Sequence, residues 1–324
     1  MADKPFTVTE WNFAGPSMFR SVGGILTGAM AAMQDWDGLW RFAYAHGRGC
    51  ILEDPNLSPG YFDLSTDPLS QASDRASICL FLRGDIAPFA KDNGVSLLVT
   101  PESVKPASDR AFPYLPSWDK ASWNMRVGSC LSSASASVLR VIPREKAEDP
   151  AVTNWVQSVA APASMHLDRE KGSFTIDTPR TCGGFAPSGT IVAGPLTVTL
   201  GGAAATVWAS SLDDAPVTTS QRILLSHLTD VQGEGAKFAD SERTILLSYG
   251  KGALVRNGTA KVELALAAPC EYAVYELETS GRRMGTVHSE VVGGKLSFIT
   301  SVDGPHGARM LYEIIQSTER KTEK

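Results

Sequence analysis

The sequence predicts an α+β chain in two parts: alternating strands and helices over residues 1–90, then an antiparallel β-sandwich over residues 91–324. Apolar residues make up 43% of the 324 positions and charged residues 20%, an ordinary globular balance that excludes wholesale disorder. Helix-period and strand-period segments alternate before residue 90, which is the pattern of parallel β-α units. After it, short β-rich runs recur between Gly, Pro, Asn and Asp clusters, at the spacing of an antiparallel sandwich.

In chain order, Lys4–Thr9 is short, β-branched and bounded by Pro5, so it reads as a strand. Ser21–Gln34 places Val22, Ile25, Leu26, Ala29, Met30 and Met33 at helical spacing. Leu39–Tyr44 reads as a second strand after the turn Asp35–Gly38. A helix is expected from about Asp67 to Arg83, with Pro68 in its first turn and Gly84 just past its end. The later strands include Val95–Thr100, Val138–Ile142, Ser173–Asp177, Leu196–Leu200, Thr206–Ser210, Ile223–His227, Val262–Leu266 and Met310–Ile315. The tail Thr318–Lys324 is charged, lacks apolar anchors and is expected to fray.

A net charge of −5 implies no basic surface for nucleic acid, and no apolar run approaches the roughly 20 residues of a membrane span. The five cysteines (Cys50, Cys79, Cys130, Cys182, Cys270) are widely spaced and contain no CxxC pair. This reads as buried thiols in a reducing, cytoplasmic setting rather than a disulfide framework or a zinc site. No histidine has a neighbour at metal-ligand spacing, so neither a metal nor a cofactor is expected. Arg20 followed by Val22–Met33 has the look of a signal h-region, but Asp3, Glu10, Trp11 and Phe13 precede it. It is read as a buried helix, and the chain is expected to carry no signal of its own.

The segment Thr9-Glu10-Trp11-Asn12, followed by Phe13-Ala-Gly-Pro16, resembles the seventh barrel strand of clan A glycoside hydrolases, retaining enzymes built on a TIM barrel. Asp35–His46 is similar to the eighth strand of that barrel, and Phe62–Asp85 to its last helix. Phe174–Thr181 with Gly183-Gly184, and Leu225–Gln232, are similar to the β-domain that follows such barrels. The resemblance implies a partial (β/α) barrel of two β-α units ahead of the sandwich. It further implies a carbohydrate substrate, with Glu10 in the position of the catalytic nucleophile. The C-terminal ends of barrel strands form the active face, where Glu10 and His46 would lie. Trp11, Trp40 and Tyr44 offer flat apolar faces suited to stacking on sugars, and Asn12 and Arg41 offer hydrogen-bond donors.

A whole barrel takes about 250 residues, yet nine precede Glu10, and no Asn-Glu dipeptide supplies the clan's acid/base signature. Two parallel strands expose unpaired edges, and the glycine-rich face of Ser21–Gln34 also calls for cover. A homodimer or tetramer joined through the barrel segment is therefore expected, with up to four copies supplying eight strands. Two alternatives stand beside the glycosidase. One is an esterase in which Ser17, His46 and Glu10 act as nucleophile, base and orienter on a small ester. The other is a non-catalytic carbohydrate-binding or assembly module. No Gly-x-Ser-x-Gly elbow, P-loop, HExxH or EF-hand loop occurs, and Ser117-Trp-Asp-Lys120 is only a chance-level Ser-x-x-Lys match.

Overall fold

A computed structural model describes residues 4–52, 60–100, 103, 115–118, 120–132, 139–267, 271–305 and 307–317. Cys270, His306 and the tail from Thr318 lie outside these residues. The chain forms two compact units, one of residues 1–9, 29–40 and 86–163, the other of residues 10–28, 41–85 and 164–324.

The opening elements follow the expected β-α-β-α order, with shifted bounds. β1 is Thr7–Trp11, α1 is Gly23–Met33 after a tight turn at Arg20–Val22, and β2 is Gly38–Arg41. β1 and β2 run in the same direction: the Asp37 N–H donates to Phe6 O (2.8 Å) and the Phe42 N–H to Trp11 O (3.0 Å), a constant offset. Among the described residues no further strand joins this pair, so the sheet is a parallel couple rather than a visible arc of barrel. The helix expected over 67–83 forms, and its hydrogen-bond type changes along its length. α2 spans Pro68–Ser73, capped by the Asp67 carboxylate, which accepts from the N–H groups of Leu69 and Ser70. A short turn follows, and Ile78–Leu82 then widens into a π-type turn closed by the Arg83 N–H on Ile78 O.

The glycines of α1 are covered within the chain, contrary to the expectation that they await a partner. A β-carbon on Gly24 would lie 1.9 Å from Ser73 O, and one on Gly28 would lie 2.6 Å from the Ser77 α-carbon. Only glycine permits this approach, and the Gly24 N–H completes it by donating to Ser73 Oγ at 3.0 Å.

The expectation of antiparallel strands from residue 91 onward is corrected between residues 94 and 143. β3 (Gly94–Leu98), β4 (Arg126–Cys130) and β5 (Arg140–Pro143) form a parallel sheet in the order β4-β3-β5. α3, Pro150–Ser158, follows them. Val95, Trp118, Met125, Ile142 and Val156 share the core of this unit. Gln34 sits buried in it, its amide donating to Ser122 O and Met125 O while its oxygen accepts from the Val127 N–H. The helical signal of α3 is in the sequence: Val152, Trp155, Val156 and Val159 fall at i, i+3, i+4 and i+7.

Antiparallel structure begins at Met165. An eight-stranded sheet runs, in spatial order, through Arg283–Val287, Tyr272–Leu277, Leu311–Gln316, Arg222–Leu228, Ala205–Ser211, Thr181–Ala186, Ser173–Asp177 and Met165–Asp168. A five-stranded antiparallel sheet holds Ser289–Val292, Lys295–Ser301, Thr259–Ala265, Leu196–Gly201 and Thr190–Ala193. Val207, Leu225 and Ile314 of the first share one apolar core with Val198, Val262 and Phe298 of the second, as a β-sandwich requires. Trp208, fully buried, sits opposite Gly183, where a β-carbon would come within 2.6 Å of the Trp208 β-carbon. The Gly183-Gly184 pair thus leaves the space in which this strand packs.

Candidate functional site

Glu10 occupies the penultimate position of β1, exposed, with no hydrogen-bond or ionic partner among the described residues. Successive strand side chains alternate in direction, so Glu10 and Asn12 leave one side while Trp11 leaves the other. Trp11 is buried beneath the Arg41 guanidinium, 5.3 Å above the ring. Trp11 is therefore packing, which corrects its expected place as an open stacking surface. Arg41 is equally engaged, its Nε 2.8 Å from Asp74 Oδ2 and its Nη1 donating to Phe42 O. Its partner is Asp74 rather than Asp37, which accepts from the Phe6 N–H. Burial pushes the Asp74 carboxyl up to about 6 despite the facing Arg41.

Asn12 behaves as a clasp rather than a free donor. Its side-chain amide donates to Phe42 O just past β2 and to Phe62 O at 3.2 Å in the loop before α2. The Ala43 N–H also donates to Phe62 O, and the N–H groups of Leu64 and Ser65 to the carbonyls of Ala43 and Tyr44. The end of β1, residues 42–46 and residues 61–65 are thereby fastened into one rim. Tyr44 projects from it at 61% exposure. Trp40, on β2, is 55% exposed.

His46 belongs to this rim, but its carboxylate is Asp63 and not Glu10. Asp63 Oδ1 accepts from the His46 N–H at 2.6 Å and stands 2.8 Å from its Nδ1. An ionised carboxylate only accepts, so Nδ1 carries the proton and Nε2 is left as the acceptor. Phe42 meets the imidazole edge-on at 5.1 Å, Phe62 lies tilted to it at 6.1 Å, and Cys50 Sγ donates to Asp63 Oδ2 at 3.6 Å. Asp63 was the residue that sequence reasoning gave no role. Its only signal was position, in the Phe-Asp segment that opens the approach to α2.

Ser17 does not join His46. Its hydroxyl accepts from the Phe19 N–H at 3.2 Å, a local turn contact, and no hydrogen bond links Ser17, His46 and Glu10. The expected nucleophile–base–orienter set is corrected accordingly: Ser17 is engaged by the Phe19 N–H and His46 by Asp63, and neither is hydrogen-bonded to Glu10. Among the described residues no group of His, Cys, Asp and Glu could hold a metal ion, and no helix is long and apolar enough to cross a membrane.

Arg20, in the turn before α1, and Asp67, the cap of α2, meet Val231 in a buried polar cluster. Arg20, fully buried, sets Nη1 2.6 Å from Asp67 Oδ2 and donates through Nη2 to Val231 O. This holds α1 and α2, and so the rim they support, against the antiparallel sheets. Set against known proteins, the chain matches no protein-family model, no curated protein and no solved structure.

Proposed function

We propose that the chain is part of a carbohydrate-active hydrolase of the retaining glycosidase type, with Glu10 as its nucleophilic carboxylate. The observation that carries this reading is the rim itself. An unpartnered carboxylate stands at the C-terminal end of a parallel strand, beside an Asn12 clasp that fixes the ends of β1 and β2. Exposed Tyr44 offers the sugar an aromatic face. In such a reaction Glu10 attacks the anomeric carbon and forms a glycosyl ester while a second carboxylic acid protonates the leaving oxygen. Water then hydrolyses the ester. That second acid must stand about 5–5.5 Å away, and another copy associating through β1 and β2 is the proposed source. Among the described residues no strand pairs with either outer edge of β1 and β2, and such edges favour association.

The test uses chromogenic aryl glycosides with the native chain and with Glu10→Gln, alongside light scattering. The reading expects turnover that falls at least a hundredfold in Glu10→Gln, and a mass of two or four chains at micromolar concentration. Equal turnover in both proteins would refute the nucleophile, and a single-chain mass in an active sample would refute completion by copies.

A second reading, ester hydrolysis, is favoured by one contact: the His46–Asp63 pair at 2.8 Å, which orients Nε2 as a base. General-base catalysis of this kind contributes roughly 10²–10⁴-fold. Hydrolysis of p-nitrophenyl acetate should then drop in His46→Ala and Asp63→Asn and stay level in Ser17→Ala. Undiminished hydrolysis in His46→Ala removes the reading.

A further inference from the structure

A cleft of about 560 Å³ opens beside the turn that follows Ser17, away from Glu10 in sequence and lined by none of the rim residues. Its size falls in the ~300–1,000 Å³ range of small-molecule sites. Gly202-Ala203-Ala204, three residues with at most a methyl group, line it in the link between Leu196–Gly201 of the five-stranded sheet and Ala205–Ser211 of the eight-stranded sheet. Gly202 holds a φ of +89°, the left-handed region that favours glycine, so a side chain at that position would strain the link.

One wall is aromatic. Phe19 is 50% exposed and is held edge-on against Phe185, with ring centroids 6.5 Å apart at 73°, so it presents a fixed apolar face. The other wall is charged. Asp230 is already satisfied there: Arg243 Nη1 lies 2.7 Å from its Oδ2, the Gln232 amide donates to it, and its Oδ1 accepts from the Val231 N–H. Arg256 is different. Its guanidinium has no hydrogen-bond or ionic partner among the described residues, and its backbone is pinned by the Asp230 and Thr229 contacts. The Ser188 hydroxyl likewise has no partner among the described residues.

A flat apolar face, a free hydroxyl and one uncompensated guanidinium at the mouth of a cleft of this volume call for a particular ligand. It must have an apolar ring face, hydroxyls and a carboxylate. We infer that this cleft is a binding site for a uronic-acid unit, with Phe19 stacking on the pyranose C–H face and Arg256 donating to the carboxylate. The site is built in the sandwich and the Phe19 turn, and it stands whether or not Glu10 is a nucleophile.

Isothermal titration of the native chain with glucuronate and galacturonate, each against its neutral hexose, tests the assignment. Either uronate should bind at least tenfold more tightly than its hexose. Arg256→Gln should erase that preference, and Ala204→Trp should block binding by filling the cleft. Glu10→Gln should bind as the native chain does, which separates this site from the proposed catalytic one. Arg256 is exposed, so its variant keeps the test sound even if the Trp variant fails to fold. Equal affinity for uronate and hexose, or an unchanged preference in Arg256→Gln, would overturn the inference. Inorganic phosphate binding as tightly as the uronates would overturn it too, leaving a plain anion site.

Discussion

β1 and the strand Ala205–Ser211 are written in the same alphabet, Thr-Val-Thr-Glu-Trp and Ala-Thr-Val-Trp-Ala-Ser-Ser, yet they live in opposite environments. Every residue of Ala205–Ser211 is buried, whereas in β1 only Trp11 is. The sandwich strand has a hydrogen-bonded neighbour on each side and a second sheet over its core face. Among the described residues β1 has one neighbour, β2. What separates them is the number of neighbours and not intrinsic preference, as expected if β propensity is mostly a measure of fit to a surrounding surface. The difference also divides labour. The sandwich holds the fold, and the open pair carries the exposed Glu10 and, just beyond β2, Tyr44.

That division can be broken at its strongest point first. Trp208→Ala removes a fully buried indole from the middle of the eight-stranded sheet and should cost about 3–5 kcal/mol. Chemical denaturation would show it, and a loss below about 1 kcal/mol would mean the sandwich is not the stabilising half. Arg20→Met strands the buried carboxylate of Asp67 and should cost roughly 3 kcal/mol, since breaking one side of a buried pair leaves a charge uncompensated. If melting of this variant matched the native chain, the charge cluster would not be what ties the rim to the sandwich.

Acid titration sharpens the comparison, because burial displaces His227 in the sandwich and Asp74 beside Arg41 in ways that act in opposite directions. Burial pushes His227 of the sandwich down to about 4. It is neutral in both states at pH 7, but between about 6.5 and 4 the unfolded chain takes the proton first, so stability falls as pH falls, by about 3 kcal/mol in all. Asp74, beside Arg41, is raised to about 6. Between about 6 and 4 the folded chain takes that proton first, so stability rises as pH falls. The contributions of His227 and Asp74 thus oppose each other across this window. His227→Gln should gain stability on acidification, and Asp74→Asn should lose it more steeply. Parallel profiles for all three proteins would contradict both assignments. The smallest effect belongs to Glu10→Gln, which should change the unfolding free energy by less than about 0.5 kcal/mol, as for exposed positions without partners. A larger loss would make Glu10 a structural residue.

Much of the order of elements was legible from residue pattern alone. The 3.6-residue spacing of Val22, Ile25, Ala29 and Met33 marks α1, and Pro68 at a first turn marks α2. The sandwich strands from Ser173 onward follow from alternation and turn residues. Residues 94–143 were misread because short apolar runs such as Gly-Val-Ser-Leu-Leu do not reveal whether their neighbours run parallel or antiparallel. At the site, Glu10, Tyr44 and His46 stand out by type and by place at strand ends. Arg41 and Trp11 were misassigned because a cation stacked on an indole and one free to meet a ligand have the same sequence.

By itself, then, the sequence determined periodicity, element order and the chemical kinds of side chain gathered near residues 10–46. Those depend on local sterics and on spacing along one strand or helix. Tertiary structure alone decided that His46 takes Asp63 seventeen residues on, that α1's glycines are closed by Ser73 and Ser77, and that Arg256 is left without a counter-ion among the described residues. Each of these depends on which distant groups are brought within a few ångströms, and hydrogen bonding, packing and charge pairing all fall away beyond that distance.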